Sequence, residues 1–438
     1  MNEPVKPYWV HDSISFEEKI TRGKSGWSKR IWLLWALLGP GMLALIGNND
    51  AGGMISYTMT GATFGISLFL PLVFLLAPLG YIVQEMSMRL AAVTRIEYIE
   101  LLFRHFGRIW GYSSLLALLL ANLMYIMAEF IGMTAGLTIL GLPLWASDVV
   151  SFIFVGSLAI FTGYWKKERL LLFVGALNIA FVVVAYLSHP DPAEIAKVFI
   201  TWPDITQNVE NTMMWYIIAT IGNDLAAWMI FFQNNATIDK GLTAKDLRLG
   251  RIDIAIGCVA QPLLAAAAIL CGAALFGHVD NLDSSNPTQI ISALVPFTGQ
   301  LGSILFGLGL FNAGWLAAIT ISLSTAWTVS GAFGWSRSLN NKLSEAPNFY
   351  AIYIGSLLIG DAAVLIPNLP LNSISVLTQI IAAILLIPIL IFLILLTNNR
   401  KIMGDYISGR CNRIWSWTII GILIAMTIAT VWQALAGK

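Results

Sequence analysis

Charge is what this chain lacks most: its 438 residues include only 25 Lys/Arg and 24 Asp/Glu, 11% in all. Soluble domains carry roughly 25% charged residues. A chain this poor in charge cannot solvate a globule of its size, which argues against a soluble enzyme and against a disordered chain. Histidine is scarce too, and His11, His105, His189 and His278 all fall in tails, loops or span ends. A membrane-embedded hydrolase with a His base, or a HExxH zinc site, therefore has no candidate residues. The cysteines Cys258, Cys271 and Cys411 form no CxxC pair and no metal spacing, and two lie in apolar runs where packing is their expected role. No GxxxxGK[ST] loop is present for ATP. No basic cluster interleaved with aromatics points to nucleic acid.

What is abundant is apolar length, with 57% hydrophobic residues. A bilayer core of about 30 Å needs roughly 20 apolar residues per helix. Windows of that length predict eleven spans, near 31–57, 64–91, 113–139, 143–164, 170–188, 211–234, 253–277, 299–333, 349–366, 372–397 and 414–435, the eighth long enough to bend or extend past the membrane. The fold class expected is an all-α polytopic membrane protein. Residues 1–30 are polar and resemble a cytoplasmic tail, not a signal peptide. Basic residues set the orientation. They cluster before the first span (Lys6, Lys19, Arg22, Lys24, Lys29, Arg30) and in the second (Arg89, Arg95, Arg104, Arg108) and fourth connections (Lys166, Lys167, Arg169). They recur in the sixth (Lys240, Lys245, Arg248, Arg251), eighth (Arg337, Lys342) and tenth (Arg400, Lys401, Arg410, Arg413), leaving only Lys197 and Lys438 on the other face. The expected topology has a cytoplasmic amino terminus and an extracellular carboxyl terminus.

Ionisable groups at membrane depth are costly and mark sites or pathways. Here they are Asp50, Glu85, Glu129, Asp224 and Asp361. Glu85 has Arg89 at i+4, the spacing of a satisfied interfacial ion pair, and Asp361 reads as an interfacial or vestibule residue. Tryptophan and tyrosine are most simply an interfacial belt, and methionine is most simply core filler. Two segments interrupt apolar helices: Gly47-Asn48-Asn49-Asp50-Ala51-Gly52-Gly53 in span one and Gly222-Asn223-Asp224 in span six. Gly and Asn are poor helix formers, and unwound backbone at this depth is tolerated only where it lines a protein or water cavity. Close helix packing is the plainer account of a lone Gly-Asn, but a carboxylate beside each break favours a shared polar site. Breaks five spans apart, in helices that cross in opposite directions, fit a LeuT-like inverted 5+5 repeat with one peripheral helix. The organisation expected is a tail (1–30), a first repeat (31–188), an extracellular connection (189–210), a second repeat (211–397), and a cytoplasmic loop with the eleventh helix (398–438).

Carboxylate, amide and carbonyl oxygens suit hard divalent cations such as Mg²⁺, Ca²⁺ or Mn²⁺. The expected metal set is Asp50 and Asp224 for charge, with Asn223, Gln379 and carbonyls near Gly47 and Gly222. Asn49 and Asn48 are weaker candidates, because one of them can cap the broken helix. No cofactor is expected, since the metal is the substrate. The expected partners are the ion and the lipid bilayer, with no nucleic acid, for a monomer.

The stretches Gly39-Pro40-Gly41-Met42-Leu43, Asp50-Ala51-Gly52-Gly53, Met127-Ala128-Glu129-Phe130-Ile131-Gly132, Thr378-Gln379 and Leu396 to Gly404 resemble motifs of the Nramp family of divalent-metal transporters, a resemblance running from about residue 30 to 435. It departs from the family pattern in ways that carry meaning. Ala51 and Gly53 replace the family's Pro and Asn, and the sixth-helix Met-Pro-His motif falls on Ala226-Ala227-Trp228, so the thioether ligand is missing. Ile126 stands where an Asp is usual before Glu129. The combination is similar to the Nramp-related magnesium transporter branch. That resemblance implies uptake of Mg²⁺, with Mn²⁺ also carried, by alternating access without strict proton coupling. It also implies an ion path past Glu129, Gly53, Ala226 and Trp228. A proton-coupled Mn²⁺/Fe²⁺ transporter, a cation channel and a metal sensor are the alternatives.

Overall fold

The computed structural model describes residues 38–160, 163–201, 211–278, 287–364, 366 and 371–435. The expected tail, part of the 189–210 connection and Lys438 lie outside the described residues. Among the described residues there is no strand. The first half of the chain forms α1 (Pro40–Gly47), α2 (Ala51–Phe64), α3 (Phe69–Thr94), α4 (Tyr98–Phe106), α5 (Arg108–Thr138), α6 (Leu144–Gly156), α7 (Tyr164–Leu177) and α8 (Ile179–Leu187). After the short α9 (Pro192–Val198), the second half forms α10 (Asn211–Asp224), α11 (Ala227–Lys240), α12 (Leu247–Ala273), α13 (Pro287–Ala293), α14 (Val295–Phe333), α15 (Pro347–Val364) and α16 (Leu371–Thr397). The chain ends with α17 (Arg400–Met403) and α18 (Arg410–Leu435).

Eight helical stretches among the described residues are long and apolar enough to cross a membrane. The other three expected spans are the broken first (α1 and α2), the short α6 and α15. The interruption near the eighth span falls at its first residue: Gly299 has φ 71°, a conformation open to glycine, and breaks α14 there. Both halves begin with an interrupted helix (α1/α2 and α10/α11). The interrupted pair sits at the centre, where α2 packs on α12, α10 on α16, and α14 runs along α5.

Three expectations change. Lys166, Lys167 and Arg169 lie within helix α7 and not in a connection, and Lys167 is fully buried with its Nζ 2.8 Å from the Tyr350 hydroxyl. The long aliphatic stem is what lets lysine enter a helix flank and reach a polar partner. Arg248 and Arg251 likewise belong to the first turns of α12. The aromatics are only partly a belt: Trp110, Trp145, Trp415 and Trp417 are exposed, but Trp228, Trp327, Tyr57, Tyr98 and Tyr125 are core residues. Each buried hydroxyl of Tyr57, Tyr98 and Tyr125 finds an acceptor, which is the condition for burying a phenol.

The start of α1 explains Gly39-Pro40-Gly41. Pro40 has no N–H to satisfy, while Gly39 N and Met42 N donate to Asp253 Oδ1 (2.8 and 3.1 Å) and Gly41 N to Oδ2 (2.7 Å). One carboxylate of α12 thereby holds three backbone donors of α1, and an anion at a helix amino terminus is favoured by its dipole. Beside it Lys240 Nζ contacts Glu168 Oε1 (3.0 Å) and donates to the Leu38 carbonyl (3.3 Å).

Candidate functional site

Both helix breaks follow from local chemistry. Asn49 N still reaches the Ile46 carbonyl (3.1 Å), so α1 ends in a turn, and Asp50 then leaves the helix with φ −75° and ψ 165°. The Asp50 carboxylate accepts from Gly53 N and caps α2. The amino-terminal cap of α2 therefore falls to Asp50, the residue with extended backbone just before its first turn, while Asn48 is the residue that closes α1. The asparagines reach across instead: Asn48 Nδ2 donates to the Asn223 carbonyl and Asn49 Nδ2 to the Gln261 carbonyl (3.1 Å). In the second break α10 closes at Asp224, and Ala226 is extended (φ −77°, ψ 139°) before α11 begins.

The breaks touch because Gly53 carries no side chain, and Gly222 lets the second break lie against Gln379 of α16. A Cβ on Gly53 would overlap the Asn223 amide, and one on Gly222 would overlap the Gln379 carbonyl. Asp50 Oδ1 and Gln379 Nε2 each lie 3.7 Å from where a Gly52 side chain would begin, and the Trp228 ring lies 3.5 Å from the same point on Gly47. Asp224 joins through its partners: Gln261 Nε2 donates to Asp224 Oδ1 (3.0 Å), and Tyr57 Oη donates to it at 3.3 Å. Glu129 Oε2 accepts from Ala51 N (2.8 Å), with its carboxyl in hydrogen-bonding reach of Asp50. Asp50, Asp224, Asn223, Gly47, Gly222, Gln379, Asn49, Glu129 and Gly53 thus converge on one buried region. Ala226 and Trp228 lie on its α11 side, where the Trp228 carbonyl accepts from Ser324 Oγ (3.0 Å) and its ring meets Phe232.

Buried polar atoms are ordinarily hydrogen-bonded. Here Asp50 Oδ2, Glu129 Oε1, both Asn223 amide atoms and both Gln379 amide atoms are buried without a partner. No Lys or Arg among the described residues forms an ion pair with Asp50, Asp224 or Glu129. Two adjacent buried carboxylates, Asp50 and Glu129, call for a bound cation or a shared proton. No three of His, Cys, Asp and Glu among the described residues converge as a metal-binding group. A cation here would therefore lean on amides, backbone carbonyls and its own water as much as on carboxylates.

Sequence reasoning missed Gln261, Tyr57 and Tyr125, whose hydroxyl donates to the Gly222 carbonyl (3.1 Å). Two signals were available: Gln261 is an amide inside an apolar run, and Tyr57 stands seven residues after Asp50, two turns along the same helix face. Glu85 and Asp361 fall outside the site. Glu85 pairs with Arg89 (3.0 Å), as its spacing predicted, and also with Arg251 (2.9 Å). Asp361 faces Asp148 of α6 within hydrogen-bonding reach.

Residues 41–433 match the natural resistance-associated macrophage protein-like (Nramp) family. The chain belongs to that family. Among its relatives is a divalent metal cation transporter MntH of Levilactobacillus brevis, 24% identical over 422 residues that cover 90% of this chain and 88% of that one. The MntH of Pediococcus pentosaceus is 25% identical over 97% of this chain and 96% of its own. The fold is that of the Eremococcus coleocola manganese transporter, with a TM-score of 0.77 at 20% identity, covering 97% of this chain and 92% of that one. It is also that of MhsT, whose structure holds L-phenylalanine, with a TM-score of 0.62 at 15% identity over 90% of this chain and 98% of that one. This Nramp-family chain therefore has a LeuT-like helical bundle, and the interrupted helices carry its polar centre.

Proposed function

We propose that this Nramp-family membrane protein carries Mg²⁺, and Mn²⁺ as well, into the cytoplasm by alternating access, without obligatory proton coupling. The observation that carries the reading is the buried cluster of unpartnered oxygen and amide atoms on Asp50, Asn223 and Gln379. Asp50 and Asp224 supply charge. Asn223, Gln379, Asn49 and the backbone near Gly47 and Gly222 orient the ion or its water. Glu129, Gly53, Ala226 and Trp228 line the path. Mg²⁺ gives up water reluctantly and takes oxygen donors, which suits a site rich in amides where, among the described residues, no cage of acidic, His or Cys ligands converges. Ala226 and Trp228 stand where the family motif has a thioether and an imidazole, so the donors that prefer softer metals are missing. The concentration of basic residues on one face supports a cytoplasmic amino terminus. An inside-negative potential then favours entry by about 2.3 kcal/mol per charge per 100 mV.

A second reading, proton-coupled Mn²⁺ transport, draws on the contact between the Asp50 and Glu129 carboxyls, which a proton can bridge. Proteoliposomes with trapped Mg²⁺ and pH dyes separate the two. Saturable Mg²⁺ entry with a flat pH signal is expected. Mn²⁺ entry with lumenal acidification and no Mg²⁺ signal would replace the first reading by the second. In the same assay Asp224→Ala lowers uptake more than about tenfold, since a charge-assisted contact carries ~1.5–3 kcal/mol. Unchanged uptake by a folded variant would remove Asp224 from the site.

A further inference from the structure

Away from the helix breaks, the outer surface of α3 and α12 carries a shallow groove of about 720 Å³. Its floor is the exposed stripe Ile252, Ile256, Val259 and Leu263 of α12, with Tyr81 of α3 on the opposite wall. The stripe recurs at helical spacing and runs into one end that is not apolar. There Arg248 and Arg251 are both exposed and both border the groove.

The charges at that end do not cancel. Glu85 accepts from Arg251 Nη2 (2.9 Å) and from Arg89 Nε (3.0 Å), so one carboxylate serves two guanidiniums. Arg251 keeps about half of its side chain exposed while making this contact, with 47% of it accessible. Arg248 adds a further positive charge one turn away. The neighbouring Asp246 is buried, and its Oδ2 is taken by the Thr243 backbone and hydroxyl (3.0 and 2.7 Å). From Arg248 to Leu263 is fifteen residues, roughly 22 Å of helix at 1.5 Å per residue. That is about the thickness of one leaflet with its headgroup layer.

An apolar channel of one leaflet's length, closed at its interfacial end by guanidiniums that Glu85 compensates only in part, matches one kind of molecule. We propose that the α3–α12 groove is a binding site for an anionic glycerophospholipid, with its phosphate at Arg248 and Arg251 and an acyl chain along Ile252, Ile256 and Val259. Guanidinium is the side chain suited to bidentate contact with phosphate, and basic pockets between membrane helices take anionic headgroups. Tyr81, on the opposite wall, bounds the acyl-chain portion of the groove. The site is independent of which metal the protein carries.

Native mass spectrometry of the purified full chain in detergent tests it, with phosphatidylglycerol and phosphatidylcholine of matched chains offered together. The expected result is one retained phosphatidylglycerol, preferred about fivefold or more over phosphatidylcholine. Arg248→Gln lowers that preference and Arg248→Lys largely keeps it. Ala255→Phe fills the groove without touching the charges, and it lowers retention of both lipids. Equal retention of the two lipids by the unaltered protein overturns the proposal, and so does a phosphatidylglycerol preference that survives both Arg248→Gln and Ala255→Phe. A dimer peak abolished by Ala255→Phe also overturns it, because the groove would then hold a second copy.

Discussion

At the scale of single residues, the polar centre is organised by side chains that tie the broken helices to each other and to their neighbours. Gln261 is the clearest: its side-chain amide donates to the Asp224 carboxylate and its backbone carbonyl accepts from Asn49, so the residue bridges the two broken helices. Replacing it with Leu nearly keeps the volume but removes the contacts to Asp224 and leaves that carboxylate short of a partner, while the backbone carbonyl that accepts from Asn49 remains. We expect Gln261→Leu to reduce ion uptake by roughly tenfold in liposomes, with helical content unchanged, and Gln261→Glu to bind cation while shifting selectivity. Uptake equal to that of the native chain would show that Asp224 orients itself. The unpartnered atoms of Asn223 and Gln379 are of another kind. They are held in place by close packing, since Gly53 and Gly222 let the segments close to contact, and they are buried without a hydrogen-bond partner.

At the scale of elements, α1 is a helix of eight residues that would not persist alone. It is held by Asp253 at its start and by burial along its length. Asp253→Asn keeps the shape but gives up acceptor capacity and charge at the helix amino terminus. We expect that variant to melt at lower temperature and to expose a cysteine placed by Leu38→Cys to faster alkylation. Unchanged alkylation would mean that the Lys240–Glu168 pair suffices to hold the helix. A second tie joins the loop before α4 to the loop after α14 through Arg337 and Glu97, which is buried. Burial pushes the Glu97 carboxyl up from 4.5 to about 7, against the pull of Arg337. A raised value means the folded protein binds a proton that the unfolded chain has released, so stability from this group is full below the unfolded value and is lost as pH rises through the folded one. Thermal stability should therefore fall from about pH 4.5 to 7, and Glu97→Gln should flatten that slope. A slope unchanged in Glu97→Gln would assign it to other groups.

At the scale of the whole molecule, orientation is open to direct measurement with the native chain. Cys411 is exposed at the start of α18, while Cys258 and Cys271 are buried. A membrane-impermeant maleimide should label one site per chain, and only from the face that carries Arg410 and Arg413. Labelling in inside-out vesicles and not in right-side-out ones is the outcome expected of a cytoplasmic basic face. The reverse would invert the topology. The two halves of the chain also explain why one site exists at all. Neither broken helix satisfies all of its own exposed backbone: Asn48 of the first meets the Asn223 carbonyl of the second, and α5 meets both, through Glu129 at Ala51 N and Tyr125 at the Gly222 carbonyl. A repeat that is incomplete alone becomes complete when paired.

Much of this was legible along the chain, because the bilayer imposes a one-dimensional rule. Scarce charge and long apolar runs dictated helices, and Gly-Asn-Asp runs inside them dictated breaks with a carboxylate at each. Near-neighbour chemistry was also readable, as in the Glu85–Arg89 pair at i+4. What the tertiary structure alone decided is which polar side chains meet. Gln261 lies 37 residues from Asp224, Asp253 lies 212 from Gly41, and Asp148 faces Asp361 from a different helix. Helical periodicity fixes which residues share a face, but in helices apolar on nearly every side it leaves no mark of which face turns inward or toward what. That rotation is set by packing, where a missing side chain at Gly53 or Gly222 brings two backbones close enough for distant amides and carboxylates to find one another.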